Sequence, residues 1–421
     1  MTASPEAPGR TSPTARRDFG LLWAGQSLSL FGDQFMTLAL PLLAVTVLGA
    51  SPAQAALLPF ALFLPFLPLG LPAGAIVERL PRRTVMLVCD GVQVIAFGAI
   101  WVSAVAGVLS FPLLFALVLL SGGAAVFFQV AYTSFLPGLF PEPDDLHSGN
   151  TRLALSESTA KALGPMAVGP VIGLLGVAGA FLANTLSFVA SFVTLVLIRH
   201  REPPRAVTVR ERGWVRRDVV AGLRFALRHP ILEPVLACGT VYVLFLSMVE
   251  TSLVLYCRNV LGLSPLWIGI VVGAAAAGYP IGNLASAVLI RRLGSARALM
   301  LSAIVSVLGI VAMPALGAHG SLGAAGLVIG SVVHCVGEGA FGPTSVTLRQ
   351  TQTPPKLLGR VSATQRFLVW GAVALGSLLA AVTTALAGLT ATVWIGALGT
   401  ILCLPALLRR GIRAATLSRT G

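Results

Sequence analysis

The amino-acid sequence predicts an all-α integral membrane protein of twelve transmembrane helices in two pseudo-symmetric six-helix bundles. Three observations predict it. Only 10% of the 421 residues are charged and 56% are hydrophobic, with mean hydropathy +0.89. A soluble chain is about one quarter charged, so most of this surface is left to lipid. Twelve apolar stretches approach the ~20 residues that cross a bilayer as a helix, and short segments repeat at about half the chain length.

The stretches lie near 19–47, 53–77, 84–106, 111–137, 151–175, 178–198, 231–256, 265–290, 297–317, 321–346, 360–387 and 389–408. Several hold proline or glycine, which membrane helices tolerate when neighbours satisfy the freed backbone. Residues 1–18 are rich in Pro, Ser and Thr without an apolar core, so they read as a disordered cytosolic tail rather than a signal peptide. Arginines then mark alternate loops: Arg79, Arg82 and Arg83 after the second span, nine between the sixth and seventh, Arg291, Arg292 and Arg297 after the eighth, and Arg409, Arg410 and Arg413 at the end. By the positive-inside rule this alternation predicts an even number of spans in a cell membrane, with both termini cytoplasmic. The stretch 199–230 becomes a basic cytosolic linker, in which "VRRDVVAGLRFALRH" has the pattern of an amphipathic helix at the inner leaflet. It separates halves 19–198 and 231–408, and 409–421 is a second cytosolic tail.

"LGASP" (Leu48 to Pro52) recurs as "LGLSP" (Leu261 to Pro265), and Pro143, Leu146 and Gly164 recur as Pro355, Leu358 and Gly376 at nearly the same offset. A constant offset of half the chain indicates a duplicated unit.

Composition also excludes functions. Net charge +14 and a pI near 11.0 would suggest nucleic acid in a soluble chain. Here the arginines sit in short loops, so no nucleic-acid partner is expected. Cys89, Cys238, Cys257, Cys335 and Cys403 are scattered without ligand spacing, so they read as apolar fillers and no metal is expected. No GxxxxGK[ST] motif or Ser-His-Asp pattern is present, so neither an ATP-driven pump nor an enzyme is expected.

The stretch "GAIVERLPRRTV" crowds one acid and three arginines into a turn. It resembles the loop signature G-x-L-A-D-R-x-G-R-K of the major facilitator superfamily. Gly74, Glu78, Arg79, Arg82 and Arg83 stand at its positions, with Glu for Asp and Pro81 for Gly. The resemblance implies a cytoplasmic gate between the halves, closed when the cavity faces outward. In it Glu78 meets arginine and the start of the eleventh helix near Gly359 and Arg360, and Asp90 is an expected partner of Arg82 or Arg83. The alternative is that these arginines only enforce topology. "FGLLWAGQSLSLFGDQFMTLALPLLA", "FFQVAYTSFLPGLFPEPDDLHSGNTRL" with "GPMAVG", and "TQTPPKLLGRVSATQ" are similar to the drug- and siderophore-exporter branch, which includes macrolide-efflux proteins. Two departures matter: Pro81 is unusual at its loop position, and Val118 stands where the general antiporter motif of the fourth span has arginine.

An ionisable group within a span costs at least ~2.5–3.5 kcal/mol and so marks a candidate site. Asp33 is the clearest candidate for proton or substrate handling. Glu157 and Lys161, spaced i, i+4, either form a static salt bridge or take part in transport. His334 and Glu338 share that spacing, and His334 reads equally as a titrating group or a packing histidine. Glu250 is a further candidate. Gly164, Pro165, Gly169, Pro170 and Gly173 resemble the fifth-span antiporter signature, where small residues let helices approach and proline bends them.

The expected function is proton-coupled efflux of small hydrophobic or amphipathic compounds, with cations favoured because acids outnumber bases among these groups. Alternating access would be driven by the proton gradient, with no cofactor and the protein a monomer. Uptake of a nutrient by symport and a non-transporting receptor or scaffold are the alternatives.

Overall fold

A computed structural model describes residues 13–77, 79–140, 143–200, 214–317 and 321–408. Among these, all regular structure is helical: α1 Pro13–Thr46, α2 Pro52–Phe63, α3 Phe66–Val77, α4 Arg82–Val105, α5 Phe111–Leu139, α6 Pro143–Leu197, α7 Trp214–Arg228, α8 Leu232–Asn259, α9 Pro265–Ala276, α10 Gly278–Leu293, α11 Ser295–Gly317, α12 Ser321–Gln352, α13 Pro355–Gly399 and, after one 3-10 turn, α14 Leu404–Leu407. Ten helical stretches are long and apolar enough to cross a bilayer. One of them, Arg360–Leu407, has 48 residues, about 70 Å as a straight rod and more than twice the ~30 Å of a hydrocarbon core.

It is not straight. Gly388 (φ 83°, ψ 171°) breaks α13, and Gly176 (φ 72°, ψ 173°) breaks α6 in the same way. Packing shows that the chain reverses at each. A Cβ at Gly164 would touch Gln34 of α1, and one at Gly32 of α1 would touch Ser187, so positions on either side of Gly176 reach the same level of one helix. Gly376 and Gly399 meet Leu244 and Phe245 of α8 around Gly388, and the hydroxyls of Thr384 and Thr392 pair across the turn at 3.0 Å. With these two reversals the ten stretches make twelve passes.

The duplication is visible at atomic level. In "LGASP", Gly49 takes φ 63°, the Ala50 N–H donates to Ala44, and Ser51 caps α2 in a reciprocal bond pair with Gln54. In "LGLSP", Gly262 takes φ 67° and the Leu263 N–H donates to Cys257 before Pro265 opens α9. The repeated letters are therefore a left-handed glycine turn followed by a serine and a proline that start a helix. The following pass breaks at corresponding points as well, at residues 64–65 between α2 and α3 and at Ala277 between α9 and α10.

Helices α1 to α6 pack on one another, as do α8 to α14. The halves meet chiefly through α2 and α3 against α13 and through α6 against α9. Linker helix α7 touches α3, α8 and α13, and its Gly222 sits against the backbone of Arg360. The first helix begins at Pro13, inside the segment read from sequence as tail. Asp18 is fully buried there, where its carboxylate accepts the N–H groups of His200 at 2.7 Å and Arg199 at 3.1 Å, beyond the end of α6. The rest of the two tails, 1–12 and 409–421, and most of the linker before α7 lie outside the described residues.

The backbone angles at Gly388 belong to a region essentially restricted to glycine, costing other residues about 1–3 kcal/mol. Gly388→Val should lower the melting temperature of the purified protein by that equivalent, whereas Gly173→Ala, in a helix with no neighbour within 4 Å, should not. His229 lies between α7 and α8, and its Nδ1 accepts the N–H groups of Ile231 and Leu232, each at 3.3 Å. Desolvation holds its pKa below the ordinary 6.5. The unfolded chain therefore takes the proton more readily, so this contribution is full above about pH 6.5 and declines as pH falls towards the folded pKa. Thermal melts at mildly acidic and neutral pH should show that loss, and His229→Asn should reduce it.

Candidate functional site

The start of α1, the end of α6 and the arginine turn before α4 share one end of the molecule, here termed the basic end. The halves are in contact away from it. Gly269 of α9 lies so close to the Pro165 carbonyl that a Cβ would sit 2.6 Å from its oxygen, and Gly169 is similarly tight against Leu266. On the opposite seam Trp370 of α13 stacks on Phe63 at 5.3 Å and meets Phe66 at 5.1 Å, while Gly371 faces Leu67. Towards the basic end the packing loosens: Gly70 and Gly74 of α3 have nothing within 4 Å. The halves are thus tightly apposed at the far end, and exposed charged side chains mark the space left between them on the basic side.

Charged side chains face that space. Glu157 and Lys161 of α6 pair at 2.8 Å, with side chains 53% and 50% exposed. Across the cavity, Glu250 of α8 and Glu338 of α12 lie within electrostatic range of Lys161 and of each other. Asp33 of α1 is also solvent-accessible, although it lies well inside its pass. Tyr132 of α5 is within electrostatic range of Glu157. The cavity wall thus carries four acids and one lysine.

In the second half the polar groups form a connected chain. Ser306 Oγ approaches the His334 carbonyl at 3.1 Å and Nδ1 at 2.9 Å, and Tyr242 Oη lies 3.0 Å from Nδ1. A carbonyl can only accept, so Ser306 donates to it; Tyr242 Oη also contacts Ser306 Oγ, so the two hydroxyls and Nδ1 form one cluster. On the other side of the ring Nε2 faces Glu338 Oε2 at 3.4 Å. The same oxygen accepts the hydroxyl of Tyr279 at 2.7 Å. Glu338 also borders a narrow cleft with Cys238, Tyr242, Ala303, Ser306 and Phe341. A hydroxyl–imidazole–carboxylate chain can hold a proton, or pass one by reversing its donors.

The arginine turn is arranged differently from its sequence reading. Glu78 lies outside the described residues. Arg79 is exposed. Arg83 reaches α6, where Nε donates to the Leu195 carbonyl at 2.9 Å and Nη2 to that of Val196 at 2.7 Å. These are carbonyls of the last turn of α6, where a cation is favoured. The expected partnership of Asp90 with Arg82 or Arg83 is not formed. Asp90 is fully buried two turns further along α4, and neither carboxylate oxygen has a hydrogen-bond partner. Arg82 Nε is likewise buried without one. Arg360 lies at the opening turn of α13 beneath Gly222 of α7.

The fifth-pass small residues divide among several roles. Pro165 and Gly169 stand at the seam with α9, whereas Gly164 packs within its own half on Gln34. Gly173 has open space around it, and Pro170 is exposed. Tyr242, Ser306, Tyr279 and Trp370 escaped the sequence reading. Hydroxyls and aromatic rings are ordinary within membrane helices, and their partners lie on other helices, so spacing gives them no signal.

A family model described as transmembrane secretion effector matches residues 9–418. The uncharacterized MFS-type transporter YfiS of Bacillus subtilis (strain 168) is 26% identical over 391 residues, covering 91% of this chain and 89% of that one. Among solved structures, a bacterial homologue of iron transporter ferroportin in its inward-facing state has a TM-score of 0.75 at 17% identity, over 93% of this chain and 98% of that chain. The outward-facing state scores 0.61 at 20% identity, with the same 93% and 98% coverage. At these identities the likeness is one of fold.

Because the Gly269 contact is with backbone, a side chain there must part the halves. A penalty of ~1.4 kcal/mol on the closed far end shifts the balance tenfold. Gly269→Leu should therefore lengthen the distance between spin labels at Val108→Cys and Val260→Cys, two exposed far-end positions. An unchanged distance distribution would show that this contact does not hold the end shut.

Proposed function

We propose that this chain, which belongs to the transmembrane secretion effector family of major facilitator transporters, exports small amphipathic or hydrophobic cations in exchange for protons. As a family member it is a multi-pass membrane transporter with a small-molecule substrate. Its direction, coupling and substrate class are the proposal.

The observation that carries the reading is the charge of the cavity wall. Asp33, Glu157, Glu250 and Glu338 outnumber Lys161 there, and Glu157 neutralises that lysine directly at 2.8 Å. The remaining acids attract a cation. A proton and a cationic substrate compete for the same carboxylates, which is the thermodynamic requirement for exchange.

The basic end is taken as cytoplasmic by the positive-inside rule, so the described conformation opens inward and is ready to load substrate from the cell. The higher TM-score against the inward-facing relative supports that orientation. The sequence resemblance to drug and siderophore exporters supports efflux, with the cell membrane as location and a single chain as the working unit. Glu78 and Arg79 would close the basic end in the opposite state, and Arg360 would be opposed to them.

Proteoliposomes loaded with a cationic amphipathic dye and given a pH gradient test this reading. Dye movement should follow the gradient, and Asp33→Asn and Glu250→Gln should each slow it about tenfold, equivalent to ~1.4 kcal/mol. Movement indifferent to the gradient and equal in both variants would overturn the proposal.

A further inference from the structure

The charged groups of the cavity leave one carboxylate unexplained. Asp90 is fully buried, and its polar neighbour is the Ser191 hydroxyl, which falls outside ordinary hydrogen-bond geometry. Among the described residues, no cation is paired with it. On its own helix, Arg83 is committed to the carbonyls of Leu195 and Val196, and Arg82 is two turns away. Helix α5 has no charged residue, and α6 has none from 162 to 197, the part packed on α4 through Phe188 and Phe97. From α6 Asp90 meets Ser191, and its neighbouring residue is the thiol of Cys89. Between residues 19 and 46 of α1 the one charged group is Asp33, which is close enough for the two charges to interact. Beside Asp33, Asn184 of α6 packs at Gly32; it is fully buried, and its Nδ2 is also without a partner.

Two neighbouring carboxylates, one of them sealed from water and unbonded, do not both persist as anions. We propose that Asp90 carries a proton in this conformation and exchanges it through Asp33, which makes the pair the proton-binding site of the first half. The step balances simply. Hydronium in the cavity protonates the Asp33 carboxylate and leaves water, and Asp33 then passes that proton to ionised Asp90 and returns to carboxylate. Release runs the same sequence backwards. Asp33 is the accessible member and Asp90 the reservoir. This deepens the proton-coupled reading by separating the group that meets the cavity from the group that stores the proton.

The test uses the full-length protein in nanodiscs with carboxyl-labelled aspartate, followed by infrared or carbon NMR spectroscopy across pH. Asp18, Asp33 and Asp90 lie within the membrane-spanning stretches, so the substitutions assign the signal. A protonated aspartate signal should be present at neutral pH and lost in Asp90→Asn. In Asp33→Asn it should remain, with its exchange into deuterated solvent slowed at least severalfold. Aspartates that are all ionised at neutral pH, or a signal and exchange rate unaffected by either substitution, overturn the proposal. The same preparations report dye transport. A signal that behaves as expected where dye movement ignores the pH gradient supports the Asp90 assignment while removing the exchanger reading.

Discussion

The structure depends on an approach of two helices that no side chain interrupts. Pro165 and Gly269 meet so closely that one added methyl would strike a carbonyl, and Gly169 repeats the arrangement nearby. Lipid supplies little hydrophobic drive for helices to associate, so close backbone packing is a main source of cohesion. Shutting the far end this way requires no ion pair and leaves no buried charge to compensate. It also makes closure abrupt, because surfaces this tight are either in register or apart. The aromatic contact of Trp370 with Phe63 and Phe66 works differently. Rings slide over one another at little cost, so that seam suits a pivot better than a lock.

The charged groups obey a second constraint, that a polar group away from water must find a partner. Asp18 and Arg83 meet it by capturing opposite sides of one helix end: the acid takes N–H groups beyond α6 and the guanidinium takes its last carbonyls. His334 and Glu338 meet it by recruiting Tyr242, Ser306 and Tyr279 from three other helices. Glu157 and Lys161 meet it by pairing along one helix while facing solvent. Asp90 has none of these arrangements, which is why a bound proton is the remaining way to neutralise it.

Much of this architecture was legible in the sequence because the bilayer reads sequence in a coarse way. Apolar length and arginine alternation mark the passes whatever the packing, and "LGASP" and "LGLSP" mark the duplication because a turn needs glycine, serine and proline in that order. Span ends were less legible. Hydropathy sees only the hydrocarbon core, whereas α1 and α6 begin at Pro13 and Pro143, several residues outside the spans read from sequence. Among candidate residues, the pairs spaced i, i+4 could be found because one helix carries both members. Contacts between helices could not. Asp90 was assigned to the arginine turn on proximity along the chain, yet Arg83 turns towards the carbonyls of another helix. Tyr279 and Glu338 are 59 residues apart, and no periodicity links them.

Duplication and chemistry have parted company in this molecule. The two halves keep the same glycine reversals, the same turn before the second pass and the same break within it, and these features determine how each bundle bends. The polar residues do not follow the repeat. Of the first half's acids, Asp33 and Glu157 are exposed, Asp90 is buried without an ion-pair partner, and Asp18 is tied to backbone N–H groups at the basic end. In the second, Glu338 and His334 are tied into hydroxyl partners and are less exposed. A symmetric frame lets either end open with similar geometry, while unlike walls give the cavity different affinities for a ligand as the walls separate from opposite ends. A cycle with direction needs both properties: the shared frame lowers the barrier between states, and the asymmetric chemistry lets ligands bias which state is occupied.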